Sequence, residues 1–455
     1  MRRLLQSFGK NAPLFFAFFS VLSTVFLFLG SVKTFAADKT PPLQEDFLYQ
    51  KMKTLTPPAF KSPLLSEETD PGQQPTQPQP LKQKQRQAPE QETEQDSTKP
   101  NITVGGYFDI YGGATRYKNV PSHGGKSRLS SSLSGGKSDT KNVHRGNFFF
   151  DGDLFIAIEQ SFSDDFSIGA RADGKLYLDA QNTPHARLRS DDAYLQLLSE
   201  KFGRLMIGKA DNAGVLMHYS APKISPLGVD NSSLNRFLYF TGRKARRHER
   251  PTYPISTSLN GEGNDLKVNY FTPELYGLTF GVSYITKGDS YNKNLYIFQT
   301  GASHKAGYLA SVGYLNTFDG VSVGLSGATA FYEGKDTRQN RREYSIGSNI
   351  SYQDFTIGGA GRLIEYDSNK ATQADGYAFN FGVSYNNHLF GADLTYIQGV
   401  TKSKPYKESL KVWQTSFIWH YKPELDIFLT WAHQKYGLNE KTTGQSILSG
   451  VSYTF

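Results

Sequence analysis

No cysteine occurs in the 455 residues, which excludes a disulfide framework and thiolate metal sites. Long apolar runs are almost as rare. Beyond the N-terminus none is long enough to cross a bilayer as a helix. There is no Gly-x-Ser-x-Gly elbow, phosphate-binding glycine loop or His-Glu-x-x-His pair, and the nine histidines are dispersed. No catalytic, cofactor-binding or metal residue is therefore assigned, and an enzyme is not expected. The net charge is +8. Outside one segment its bases are scattered among acids, and no nucleic-acid motif accompanies them, so nucleic acid is not an expected partner.

Aromatic residues and glycine are abundant: 27 Tyr, 32 Phe and 43 Gly. Many aromatics with few apolar runs suit a transmembrane β-barrel, whose outer face is apolar and whose inner face is polar. A soluble all-β protein shares part of this signature.

Three regions follow from the texture of the chain. Arg2, Arg3 and Lys10 precede the apolar run Leu14–Leu29, and Thr34-Phe-Ala-Ala37 follows. This pattern predicts a secretory signal peptide over 1–36, with an uncleaved membrane anchor as the alternative. Residues 37–100 are rich in Gln, Pro, Lys and Glu without periodicity. Such a segment buries too little apolar surface to offset its ordering entropy, which predicts a disordered periplasmic extension. Period-two alternation begins at Asn101 and predicts a barrel over 101–455. Phe148, Phe150, Leu154, Ile156 and Ile158 share one face there; Asp151 and Asp153 share the other. In the next segment Ile168, Ala170 and Leu176 lie opposite Arg171, Asp173 and Lys175.

About sixteen such segments can be counted, an even number as a bacterial single-chain barrel requires. Short connections such as Gln353-Asp354 and Lys422-Pro-Glu424 alternate with longer ones such as Glu333–Glu343 and Val400–Glu408. Short turns at one rim and long loops at the other are the layout of an outer-membrane barrel. Gly-Val-Ser-Tyr recurs at Gly281–Tyr284, Gly382–Tyr385 and Gly450–Tyr453, and its tyrosines read as girdle aromatics. The lumen wall is expected to carry Asp151, Asp153, Arg171, Lys175, Arg187, Arg189 and Lys267. One connection stands apart, running about fifty residues from Ala210 to Gly263, far beyond the usual loop length. It carries Arg236, Arg243, Lys244, Arg246, Arg247 and Arg250, and it reads as a loop folded into the lumen.

The chain ends Gly450-Val-Ser-Tyr-Thr-Phe455. With Tyr453 third from last and a terminal Phe455, this strand resembles the assembly signal of outer-membrane barrels. Over 101–455 the strand count and the strand–long loop–hairpin at the centre resemble the Gram-negative general porin family, above all its alphaproteobacterial members. The resemblance implies a multi-pass β-barrel in the bacterial outer membrane, working as a homotrimer among lipid and lipopolysaccharide. It implies assembly by the barrel-assembly machinery through Phe455, with the long third loop folded inward as the constriction. Small hydrophilic solutes would cross by passive diffusion. Lys209 would stand where the family has a basic wall residue, and Asp230 of Pro226-Leu-Gly-Val-Asp230 would match an acidic loop position. The family's glutamate in that turn is missing, and Phe271 stands where an arginine is common. Basic rings favour anions, so an anion-preferring pore is expected. A solute-specific channel and a surface adhesin or receptor barrel are the alternatives.

Overall fold

In a computed structural model of the chain, the described residues are 100–121, 140–163, 165–179, 183–228, 256–259, 265–286, 304–334, 339–367, 375–402, 407–438 and 442–455. The expected signal peptide and residues 37–99 lie outside them. So do Asp230, Arg236, Arg243, Lys244, Arg246, Arg247 and Arg250.

The strands are β1 (Asn101–Pro121), β2 (Thr140–Ser163), β3 (Phe166–Asp179), β4 (Thr183–Ser199), β5 (Gly203–Lys209), β6 (Leu266–Phe271), β7 (Leu278–Ile285) and β8 (His304–Phe318). There follow β9 (Val321–Gly334), β10 (Arg341–Tyr352), β11 (Phe355–Tyr366), β12 (Asp375–Asn386), β13 (Phe390–Lys402), β14 (Lys407–Lys422), β15 (Leu425–Leu438) and β16 (Thr442–Thr454). Each pairs antiparallel with its sequence neighbours, and β1 closes on β16. Closure leaves no unpaired edge, which is what lets strands rather than helices span lipid. The seam is completed by the last residue. Gly106 N–H donates to the Phe455 carbonyl (3.0 Å), and Phe455 N–H donates back to Gly106 (3.1 Å). Phe108 stacks on Phe455 with ring centroids 5.4 Å apart.

The outer face is apolar and exposed: Leu154, Ile156, Leu195, Phe280, Ile357, Phe417, Leu429 and Ile447 all point outward. Aromatics gather at both rims, as interfacial belts do. At the rim of short turns Phe355, Tyr385 and Phe390 form a chain with centroid spacings of 4.9 and 5.6 Å. At the rim of long loops Tyr284 meets Tyr308, and Tyr396 meets Trp413 at 4.7 Å. The inner face is polar along much of the wall. Between β13 and β2 it also holds an apolar cluster: Ile397, Val412, Ile418, Phe428, Leu448, Tyr111 and Phe149.

At the rim of short turns the observed strands begin within a residue of where the turn chemistry ends them, as at Gly203, Phe355 and Leu425. At the other rim they run further than the apolar alternation. Val400, Thr401 and Lys402 stay paired with Ser409, Glu408 and Lys407. Above the membrane a hairpin keeps its backbone ladder without needing a lipid-facing side, so the period-two signal fades before the strand does.

Candidate functional site

The described parts of the connection between β5 and β6 (the third loop), residues 210–228 and 256–259, lie against the inner wall, and the first follows it strand by strand. It begins with Asn212, whose side chain caps a single turn, α1 (Ala213–Leu216), by accepting from Val215 N–H at 3.0 Å. The Asn212 amide also donates to the Leu259 carbonyl at 2.6 Å, tying the outgoing and returning limbs together. Ala213 N–H donates to Ser283 Oγ on β7 at 2.9 Å. Tyr219 N–H donates to Ser326 Oγ on β9 at 3.0 Å. Ala221 N–H donates to Asn380 Oδ1 on β12 at 3.1 Å, and Ile224 N–H to Asp393 Oδ2 on β13 at 3.2 Å. Ser225 Oγ bonds with Ser416 Oγ on β14 and Thr430 Oγ1 on β15, both at 3.3 Å. Leu227 then joins the apolar cluster.

The wall is shaped for this path. Ser326, Gly347, Ala360 and Asn380 lie side by side in one register row across β9–β12. Asp393, Ser416, Thr430 and Leu448 form a second row across β13–β16. Each row offers polar side chains to backbone N–H groups that would otherwise be buried unpaired, at a cost of about 1–3 kcal/mol each. Gly347 leaves the loop its space. A Cβ there would stand 1.9 Å from the Tyr219 carbonyl oxygen. Burial pushes the Tyr219 hydroxyl up to about 12, so it stays neutral in the lumen.

The returning limb, Ser256–Leu259, crosses a buried ion cluster on β10 and β11. Glu343 lies between Arg341 (Nε–Oε1 2.8 Å) and Arg362 (NH2–Oε2 2.5 Å). Arg362 also donates to the Ser256 carbonyl at 3.4 Å, and Arg341 lies 4.2 Å from the Tyr332 ring centroid. Asn380 Nδ2 donates to Thr257 Oγ1, which in turn meets His218 Nε2, both at 3.0 Å.

The sequence-derived wall residues fall on the inner face of β2, β3 and β6. Asp151 accepts from the Tyr111 hydroxyl. Asp153 and Lys175 pair at 3.9 Å. Arg171 grips Asp173 through two bonds of 2.8 and 3.1 Å while lying over Phe155. Lys267 is fully buried and donates to the Asp265 carbonyl. The Arg189 backbone pairs with Lys175, and Arg187 with Tyr177; their side chains are outside the described set.

Lys209 requires a correction, because it faces the membrane side. Alternation runs unbroken through β5, with Met206 buried inside and Ile207 and Lys209 exposed outside. Lys209 is paired with Ala193 and with Leu266, themselves exposed outward. It therefore cannot line the constriction. We expect Lys209→Gln to leave the reversal potential in a salt gradient unchanged.

Sequence reading missed the most important wall positions: Ser326, Asn380, Asp393, Glu343 and Arg362. Their signal was present as polar residues on inward faces, but nothing in one strand shows which polar residue receives a loop.

A closed sixteen-strand barrel with short turns at one rim, aromatic belts and a loop fixed inside its lumen defines an outer-membrane channel protein. Residues 94–417 match the Gram-negative porin family. The chain belongs to that family and forms an outer-membrane channel for passive diffusion. Among solved structures it is similar to the anion-selective porin of Comamonas acidovorans (14% identity, TM-score 0.51, covering 78% of this chain and 100% of that one). It is also similar to the outer-membrane channel DcaP of Acinetobacter baumannii (12% identity, TM-score 0.50, 78% and 97% covered). No curated protein sequence matches the chain.

Proposed function

We propose that this porin is a homotrimeric, non-catalytic channel for small hydrophilic solutes that prefers anions, with the third loop as its selective element. The observation that carries the reading is where the loop's two limbs are held. Leu227 packs against the wall of β1, β2 and β13–β16, while Ser256 is bonded to Arg362 of β11. The intervening segment, with Arg236, Arg243, Lys244, Arg246, Arg247 and Arg250, therefore starts and finishes on the inner wall. Cationic side chains in a low-dielectric aperture focus field on permeating anions. Three acids of the described wall, Asp153, Asp173 and Glu343, each have a basic partner that offsets their charge.

Substituting Arg243, Arg246 and Arg247 together by Ser should shift the reversal potential toward cation preference while channels stay open. An unchanged reversal potential in planar bilayers would remove the loop from the selectivity mechanism.

A further inference from the structure

We propose that the inner wall of β13, β14 and β15 carries a binding site for a neutral, hydroxyl-rich solute of monosaccharide size. The site is built from Thr395, Gln414 and Gln434, all on inward faces and almost without exposed surface. Thr395 Oγ1, Gln414 Oε1 and both amide atoms of Gln434 have no hydrogen-bond partner among the described residues. Gln414 is held from its other end, because its Nε2 donates to Ser416 Oγ at 2.9 Å.

Register brings the three side chains together. Thr395 stands opposite Gln414. Gln434 lies on the neighbouring strand, opposite Val412 and one row nearer the rim of long loops. Gly444 leaves its amide room, since a Cβ there would stand 2.4 Å from Gln434 Nε2. Directly beneath is the row of Asp393, Ser416 and Thr430, which holds Ile224 and Ser225 of the third loop. The outgoing limb is therefore the floor of the site. A solute arriving from the rim of long loops meets the site before it meets the limb.

A buried polar atom without a partner costs its lost hydration, and an apolar side chain of the same shape carries no such cost. Leucine at positions 414 and 434 would make the more stable wall. Amides kept in this state mark a place where the partner comes from outside the chain. Their chemistry selects that partner. An amide and a hydroxyl group both donate and accept, as sugar hydroxyls do. Ile397, Val412 and Ala432, buried on the same wall, offer apolar surface to the C–H faces of a sugar ring. An anion would lose hydration here and gain no cation. A cation would gain no open carboxylate, because Asp393 already accepts from Ile224 N–H at 3.2 Å and Ser416 N–H at 2.8 Å.

The test uses the full-length barrel and D-glucose. Glucose should raise the urea unfolding midpoint of the parent saturably. Gln414→Leu with Gln434→Leu should raise the midpoint without sugar and weaken the apparent glucose affinity by about tenfold, the effect of two lost hydrogen bonds. Gluconate, similar in size but carrying a carboxylate, should stabilise the parent no more than glucose stabilises the variant. In proteoliposomes glucose influx should saturate in the parent and stay linear in the variant. A midpoint that rises linearly with sugar, and equally in both proteins, is the general osmolyte effect and would overturn the proposal. So would equal stabilisation by gluconate. A variant less stable than the parent without sugar would also overturn it, by showing that the amides are satisfied within the fold. Conductance and reversal potential of the variant should match the parent's, which separates this result from the anion preference. Gln434→Met alone repeats the comparison if the double variant does not assemble.

Discussion

Glu343→Gln is expected to be among the most destabilising single changes in the barrel wall. Glu343 is paired with both Arg341 and Arg362, and all three are buried. Removing the Glu343 charge takes a counter-ion from two buried guanidinium groups at once. Breaking a buried pair by removing one partner costs about 3–5 kcal/mol. Removing Arg362 instead leaves the Arg341–Glu343 pair neutral. Arg362→Gln should therefore cost clearly less than Glu343→Gln, although it also loses the weak bond to Ser256. Urea unfolding of the purified barrel from lipid vesicles, followed by tryptophan emission, gives both values. A Glu343 variant no less stable than the Arg362 variant would show that the cluster's charge balance does not hold this wall. Because Arg362 reaches the returning limb of the loop, Glu343→Gln should also raise open-channel noise.

The second large effect is expected at Gly347. Any side chain there meets the backbone of Tyr219, with the new Cβ 1.9 Å from its carbonyl oxygen. A backbone atom cannot rotate aside as a flexible side chain would. The loop is held on either side of this point by Ser326 and Asn380, so it has to bow toward the barrel axis. Gly347→Val should then lower single-channel conductance by roughly half, since aperture sets flow in such pores. The control is Gly327→Val on neighbouring β9. A Cβ there would meet only Val312, at an ordinary 3.6 Å, and Gly327 shares the outer face with Ile346. Its conductance should match the parent's. If Gly347→Val conducts like Gly327→Val, the loop does not bear on the aperture at Tyr219.

The sequence by itself determined the class of architecture. Alternation from Phe148 to Ile158 set which side chains face lipid, and that choice is forced because a one-residue slip would put Asp151 and Asp153 into hydrocarbon. Turn residues fixed the strand starts at Gly203, Phe355 and Leu425, where backbone chemistry is local. The length of the third loop and its run of arginines were also legible, as was the terminal strand that now pairs Phe455 with Gly106.

Other features were decided only by closure of the barrel. Lys209 lies on the outer face because its neighbours in the sheet, Ala193 and Leu266, lie there. The strands run past their apolar pattern at the rim of long loops, where backbone pairing continues without lipid to impose a period. The wall positions that receive the loop come from strands far apart in sequence: Ser326, Asn380, Asp393, Ser416 and Thr430. Each reads in its own strand as one more polar inward residue. They become a track only when register aligns them into rows, and a row across a closed sheet is a property of the tertiary structure. The same holds for Thr395, Gln414 and Gln434, which come together because β14 pairs with β13 on one side and with β15 on the other.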